Sequence, residues 1–105
     1  MHTIVNNWQI IAIIDSGEVI GRVLWGICVK DSSCRFDVGD YICTSRIVAI
    51  MPSERLITTH TGSSYQVRGD GTEAAIQVRD FEFLRQGFSP DEINLLNLAP
   101  KEHLN

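Results

Sequence analysis

The most constraining feature of this sequence is a run of alternating residues near its N-terminus. Apolar or small residues occupy every odd position of the run: Val19, Gly21, Val23, Trp25, Ile27 and Val29. A period of two is that of a β-strand, in which alternate side chains point to the same face. We therefore predict a strand over residues 19–29, with its odd positions facing the core and Trp25 buried.

Further short apolar segments separated by turn residues predict a protein built mainly of strands. Strands are expected at residues 8–14, 41–51, 55–61, 64–68 and 73–79, the last of which is rich in alanine and could instead be a helix. Within the second of these, Ile42, Val48 and Ile50 are expected on one side. Turn residues at 15–18, 30–40, 52–54 and 69–71 separate the strands.

The C-terminal part carries helix signals. Asp80 is a predicted N-cap for a short helix over residues 81–86, which Gly87 would end. A second helix is expected to begin at Pro90 and to end near Ala99, because Pro100 disfavours helical geometry in the residue before it. Its capping box would join Ser89 and Glu92, with a hydrophobic staple between Phe88 and Ile93. The apolar segment Leu95-Leu96-Asn97-Leu98 is expected either to dock on the sheet or to form a homodimer contact.

Together these patterns predict the fold class. A chain of 105 residues is expected to form a single domain, residues 1–105. The predicted class is mainly β (α+β), a small curled antiparallel sheet or partly open barrel of about six strands with two short C-terminal helices.

Composition excludes several classes of protein. A formal net charge of −4 argues against a protein that coats nucleic acid, so direct nucleic-acid binding is not expected. No apolar run has the roughly 20 residues that a membrane helix needs, and the N-terminal residues lack the pattern of a signal peptide. The three cysteines cannot form an even disulfide framework, which predicts a reducing, cytoplasmic compartment.

Motifs for catalysis, metals and cofactors are missing. The sequence has no phosphate-binding Gly-x-x-x-x-Gly-Lys, no Gly-x-Ser-x-Gly and no His-Glu-x-x-His motif. Cys28, Cys34, Cys43 and His60 lack the spacings typical of zinc ligands, and a nucleophile–base pair of Cys34 or Cys43 with His60 would need chance proximity. We therefore expect no cofactor, no metal and no enzymatic activity.

The central part of the chain resembles small uncharacterised proteins of bacteriophages and prophages. The residues that carry the resemblance are Arg35, Phe36, Gly39, Ile42, Thr44, Ser45, Arg46 and Ile47, followed by Thr61, Ser63, Tyr65 and Val67. The resemblance covers about a third of the chain. It implies an accessory protein of a phage or prophage that acts in the cytoplasm of the host cell against a host defence system, and it implies no catalytic mechanism.

The same part of the chain supplies the candidate binding residues. Arginines offer forked donors and hydroxyls offer further donors that suit phosphate or carboxylate oxygens. The predicted binding residues are Arg35, Arg46, Arg68, Thr44, Ser45, Ser63 and Tyr65. A structural interpretation competes with this one, since Tyr65 could pack in the core and the threonines and serines are ordinary strand residues. The predicted partner is a host protein; the alternative is a small, nucleotide-like anion that the protein sequesters.

Overall fold

The computed structural model describes residues 3–98, and these residues form six strands and two short helices. The elements are β1 (Thr3–Asp15), β2 (Glu18–Asp31), β3 (Tyr41–Met51), β4 (Leu56–Thr59), β5 (Ser64–Val67), β6 (Thr72–Gln77), α1 (Phe81–Arg85) and α2 (Pro90–Leu98). Single turns of 3-10 helix follow β3 at Pro52–Glu54 and β6 at Val78–Asp80. The predicted class and the two C-terminal helices are confirmed, and the alanine-rich segment is a strand that ends in a 3-10 turn.

Strand β1 pairs with three other strands, because its two halves have different neighbours. It runs antiparallel to β2 along its length. Its residues 3–5 pair in parallel with residues 65–67 of β5, and its residues 9–14 pair in parallel with residues 72–77 of β6. Asn7, with a φ of 48°, lies at the irregularity between the two halves. The sheet is therefore mixed, whereas the sequence predicted antiparallel pairing.

The strands form a partial ring. The ladders follow the order β2-β3-β4-β5-β1, and the β1–β2 ladder returns to the start. Strands β2 and β3 pair only between the Ile27–Tyr41 pair and the Val23–Arg46 pair. Beyond Val23 and Arg46, β2 stays with β1 while β3 stays with β4, so the ring is open between them.

Strand β2 separates two apolar clusters. The first, inside the ring, contains Val5, Leu24, Cys28, Ile42, Ile57, Tyr65 and Val67. The second, beneath the helices, contains Ile11, Ile13, Val23, Trp25, Ile76, Leu84 and Ile93. Burial of Trp25 is confirmed, with 8% of its surface exposed. The prediction that only odd positions of β2 face the core is wrong: Leu24 and Cys28 are buried, while Val19 is exposed.

Helix α2 begins as its capping signals predict. The backbone N of Ser89 donates to Oε1 of Glu92 at 2.9 Å, and the backbone N of Glu92 donates to Oγ of Ser89 at 3.1 Å. Ile93 is buried, and Phe88 packs against the same cluster. The capping box fixes the start of α2, and the buried side chains of Pro90 and Ile93 pack the helix beside β6. The predicted end near Ala99 lies outside the described residues.

Asp80 has a different role from the one predicted. It precedes α1, but its side chain makes no capping hydrogen bond. Its Oδ2 instead accepts a hydrogen bond from Nδ2 of Asn97 at 3.0 Å. The carboxylate therefore joins the start of α1 to the last turn of α2, because a buried polar group needs a hydrogen-bonding partner.

Candidate functional site

Asp31 organises the loop that follows β2. Its carboxylate accepts hydrogen bonds from the backbone N atoms of Ser33, Arg35 and Phe36 at 2.6–3.0 Å. The hydroxyls of Ser33 and Thr3 donate to the same carboxylate at 2.5 and 2.9 Å. Desolvation opposes ionisation of Asp31, but these hydrogen bonds outweigh it and hold its pKa well below the usual range. Ionised Asp31 therefore joins the backbone of residues 33–36 to the end of β2.

This loop places two of the predicted binding residues, Arg35 and Ser63, in contact. Nε of Arg35 donates to Oγ of Ser33 at 2.9 Å, and one terminal guanidinium nitrogen donates to Oγ of Ser63 at 3.2 Å. The guanidinium also lies 5.1 Å from the centre of the Phe36 ring, within the range of a cation–π contact. Two hydroxyls and a ring hold this arginine at the surface.

The other predicted hydroxyl residues lie in separate places. Oγ of Ser45 is 3.3 Å from Oγ1 of Thr61 at the surface. Thr44 is buried; its Oγ1 accepts from the backbone N of Leu24 at 3.0 Å and donates to the carbonyl O of Ser45 at 2.7 Å. Tyr65 packs inside the ring with 4% of its surface exposed. Thr44 and Tyr65 therefore take the structural role that the sequence left as an alternative.

The three predicted arginines do not share a contact. Arg35 bonds to Ser63, just before β5, whereas Arg68 directly follows β5 at its other end. The side chain of Arg46 instead lies over Gly21 of β2, where a Cβ on that glycine would be 3.4 Å from its Cδ. The predicted surface is thus divided into an Arg35–Ser63 cluster, a Ser45–Thr61 pair and separate positions for Arg46 and Arg68.

The cysteines and His60 form no recognisable reactive group in the described part of the chain. Among residues 3–98, no three His, Cys, Asp or Glu side chains are grouped as metal ligands would be. Burial raises the pKa of the Cys43 thiol to about 11, although nearby Arg85 acts in the opposite direction. Burial, with Asp31, Asp40 and Asp37 nearby, also raises the pKa of Cys28. Both thiols are therefore protonated and poorly nucleophilic at neutral pH.

The opening of the ring forms a feature that the sequence did not predict, here called the β2–β3 cleft. It is a cavity of about 440 Å³ between residues 19–22 of β2 and residues 46–50 of β3. Apolar side chains at its walls are unusually exposed: Val19 by 49%, Ile20 by 54%, Val48 by 53% and Ile50 by 46%. Alternation predicted Val48 and Ile50 on one side with Ile42, but Ile42 is buried while Val48 and Ile50 are exposed. A register shift between Ile47 and Ala49 in the ladder with β4 lies between Ile42 and these two residues.

A second depression, here called the apolar groove, shares one wall with the cleft. It has a volume of about 360 Å³ and lies between β2 and the start of α1. Ile13, Ile20, Val23, Val78 and Phe81 supply its apolar lining, and Arg46 lies beside it on the same face of the sheet as Val23, its pairing partner. Arg22 is part of the wall, but its side chain lies with that of its pairing partner Ala12 on the opposite face of the sheet from Val23. The guanidinium of Arg46 has no hydrogen-bond or carboxylate partner among residues 3–98. An apolar surface beside an unpaired cation suits a partner that is apolar and acidic.

Comparison with known proteins gave no relatives: no family model matches the chain, and searches of curated proteins and of solved structures also found no match. Within residues 3–98, neither helix is both long enough and apolar enough to cross a bilayer.

Proposed function

We propose that this protein is a non-catalytic binding module whose β2–β3 cleft takes up an extended segment of a host protein. The observation that carries the proposal is the separation of β2 and β3 beyond Val23 and Arg46. Residues 19–22 and 47–51 remain in strands, yet no ladder joins these two described segments. Each therefore presents one strand edge to the same cleft.

Open strand edges favour an extended partner, because backbone N–H and C=O groups require hydrogen-bonding partners. Strand addition meets this need through the main chain, and side-chain pockets supply specificity. Proteins usually protect such edges with charge, proline or bulges. Here both strands have register shifts, but Val19, Ile20, Val48 and Ile50 keep the rim of the cleft apolar.

The charges at the cleft indicate which side chains a binding partner should carry. Arg22 and Arg46 both line it and have no acidic partner among the described residues. A fitting segment would place apolar side chains at alternate positions and at least one carboxylate near these arginines. The resemblance to phage and prophage accessory proteins supports a partner from the host cell, and we propose interference with a host defence protein as the role.

The test compares two exposed valines. Tagged wild-type protein, Val48→Asp and Val38→Asp would be incubated with lysate of the bacterial host, and captured proteins would be identified by mass spectrometry. Val38 is 77% exposed in the loop before β3 and does not line the cleft, so it is the matched control. We expect one host protein to be retained by wild type and by Val38→Asp and lost by Val48→Asp.

Hydrogen exchange of the captured complex provides the second measurement. Amide protons at residues 48–51 should exchange more slowly in the complex than in the free protein, because a paired strand edge is protected from solvent. Equal capture by Val48→Asp, or unchanged exchange at these residues, would contradict the proposal.

Sequestration of a small, nucleotide-like anion is the second candidate function. The Arg35–Ser63 cluster favours it, since no carboxylate contacts the Arg35 guanidinium among residues 3–98. A single positioned arginine offers an anion fewer hydrogen-bond donors than the convergent set of arginines that the sequence suggested. Screening mono-, di- and cyclic nucleotides by thermal shift tests this function: a ligand at about 100 times its Kd should stabilise the fold by about 2.7 kcal/mol. Arg35→Lys should reduce the shift, because lysine lacks the planar fork.

A further inference from the structure

Two exposed apolar surfaces lack a partner on the side of the molecule that carries the helices. One is the apolar groove, in which Ile20 is 54% exposed and Val78 is 41% exposed. The other is the outer face of α2, where Leu95 is 67% exposed and Leu98 is 77% exposed. The leucines of α2 therefore do not dock on their own sheet, so that alternative of the sequence analysis is wrong.

The outer face of α2 combines apolar and acidic side chains. Pro90 and Ile93 are buried, and Asn97 bonds to Asp80, so these residues form the inner face. With 3.6 residues per turn, Asp91, Leu95 and Leu98 lie in a row on the other side of the helix. We call this row the α2 stripe. It cannot reach the groove of its own molecule, because the inner face holds α2 against β6.

The charges of the stripe and the groove are complementary. The carboxylate of Asp91 has no hydrogen-bond or cationic partner among residues 3–98, and the guanidinium of Arg46 beside the groove has no carboxylate or hydrogen-bond partner there either. An apolar helix face with a free carboxylate therefore matches an apolar groove with a free guanidinium group beside it. Electrostatic complementarity of this kind fixes the orientation of partners.

The positions of the two surfaces permit a closed, two-fold arrangement. The bond between Asn97 and Asp80 keeps the end of α2 beside the 3-10 turn that carries Val78, and Val78 lines the groove. Stripe and groove are thus neighbours. A two-fold axis between two molecules would place each stripe on the groove of the other copy, and such an isologous contact closes at two subunits.

We infer that the protein forms a homodimer in which the α2 stripe of each copy occupies the apolar groove of the other. The inference does not require the proposed host partner. The cleft and the groove share Ile20, Gly21, Arg22 and Arg46, but Val48 lines only the cleft and Val78 only the groove, so substitutions at these two positions test the two ideas separately. The two ideas can therefore fail separately.

Sedimentation velocity tests the dimer. Wild type should sediment with twice the 11.8 kDa mass of the chain, and Val48→Asp should behave in the same way. Val78→Asp, Leu95→Asp and Leu98→Asp change exposed side chains, and each should weaken dimerisation at least about tenfold. Mixing Val78→Asp with Leu95→Asp should raise the dimer fraction above that of either alone, because one intact stripe then meets one intact groove.

Charge reversal provides an independent test of the pairing. Asp91→Lys should weaken the dimer, and adding Arg46→Glu to the same chain should restore part of the lost affinity. A wild-type protein that sediments as a monomer at every concentration up to the millimolar range would overturn the inference. A dimer that is indifferent to the Val78, Leu95 and Leu98 substitutions would overturn it as well.

Discussion

The indole ring of Trp8 lies directly against the backbone of Gly71, so close that a Cβ at position 71 would be 2.4 Å from a ring carbon. Nε1 of Trp8 also donates to the carbonyl oxygens of Arg68 and Gly69 at 3.1 and 3.2 Å. Trp8 lies within the irregularity in the middle of β1, between Asn6 and Gln9, and Gly71 lies in the connection from β5 to β6. The ring thus anchors this connection at the point where β1 changes parallel neighbours.

Replacing Gly71 by alanine should therefore destabilise the fold. The new methyl group would overlap the indole, and overpacking of this kind costs about 1–3 kcal/mol. Chemical denaturation of Gly71→Ala against wild type measures the effect. Gly21→Ala is the control, because its Cβ would make ordinary contact with the flexible side chain of Arg46, and we expect a change within about 0.5 kcal/mol. Equal stability of the two variants would contradict the role given to Trp8.

Among the aromatic residues of the second apolar cluster, Trp25 is the one whose truncation should destabilise the fold most. Trp25→Ala should reduce the free energy of unfolding by about 3–5 kcal/mol, the range for deleting a large core aromatic side chain. Trp25→Phe should cost clearly less, since it keeps most of the packing and removes Nε1, a buried donor without a partner in the described structure. Thermal denaturation checks both variants, and melting of Trp25→Ala within a degree or two of wild type would show the burial to be wrong.

The capping box predicts a graded response at Ser89. Ser89→Ala removes the hydroxyl that accepts from the backbone N of Glu92 and should cost about 0.5–2 kcal/mol, whereas Ser89→Gly should cost less. Denaturation curves and the helical signal in circular dichroism of the three proteins provide the measurement. No difference among them would mean that the box does not support α2.

Asp31 should make stability depend on pH in the acidic range. Its pKa is lower in the folded state than the roughly 3.9 of an unfolded chain, so it contributes stability above that pH and loses it as the pH falls further. Asp31→Asn should therefore be less stable than wild type near pH 7, and the difference should shrink below about pH 4. Asp70→Asn, at an exposed turn, controls for loss of one negative charge. A difference that stays constant with pH would contradict this account.

The three cysteines should differ in their rates of alkylation. Cys34 is exposed, whereas Cys28 is buried and the Cys43 thiol has a pKa raised to about 11 by burial. Iodoacetamide reacts with the thiolate, so mass spectrometry at mildly alkaline pH should show modification of Cys34 first. Cys34→Ser should remove this fast phase and leave the two slow ones. Rapid modification of Cys43 would contradict its burial.

Local sequence patterns predicted local structure well in this protein. The bounds of β3, the turn after β1 and the capping box of α2 depend on neighbouring residues, and all three are confirmed. Long-range relationships were not predictable in the same way. Alternation cannot reveal that both faces of β2 are buried, because burial of the second face depends on helices that come much later in the chain.

The candidate surfaces show the same limit. The sequence grouped Arg35 and Ser63 with five other residues in one predicted surface; the structure joins these two by a hydrogen bond but places Arg46 and Arg68 elsewhere. The sequence did not predict the β2–β3 cleft, since nothing in the residues shows where two paired strands separate. Val48 and Ile50 look like core residues in the sequence, and only the positions of β2 and β4 show that they are exposed.

The pairing of β1 with both β5 and β6 has a consequence for synthesis on the ribosome. Strand β1 can form a hairpin with β2 as soon as both have left the exit tunnel, but its parallel partners are translated only after β3 and β4. Until then, one edge of β1 and the apolar side chains of Val5, Ile11 and Ile13 lack the neighbours that cover them. Nascent chains that stop before β5 should therefore bind chaperones or aggregate. A stable product should appear only after α2 has been released, because Leu84 and Ile93 of the helices complete the cluster around Ile11 and Ile13.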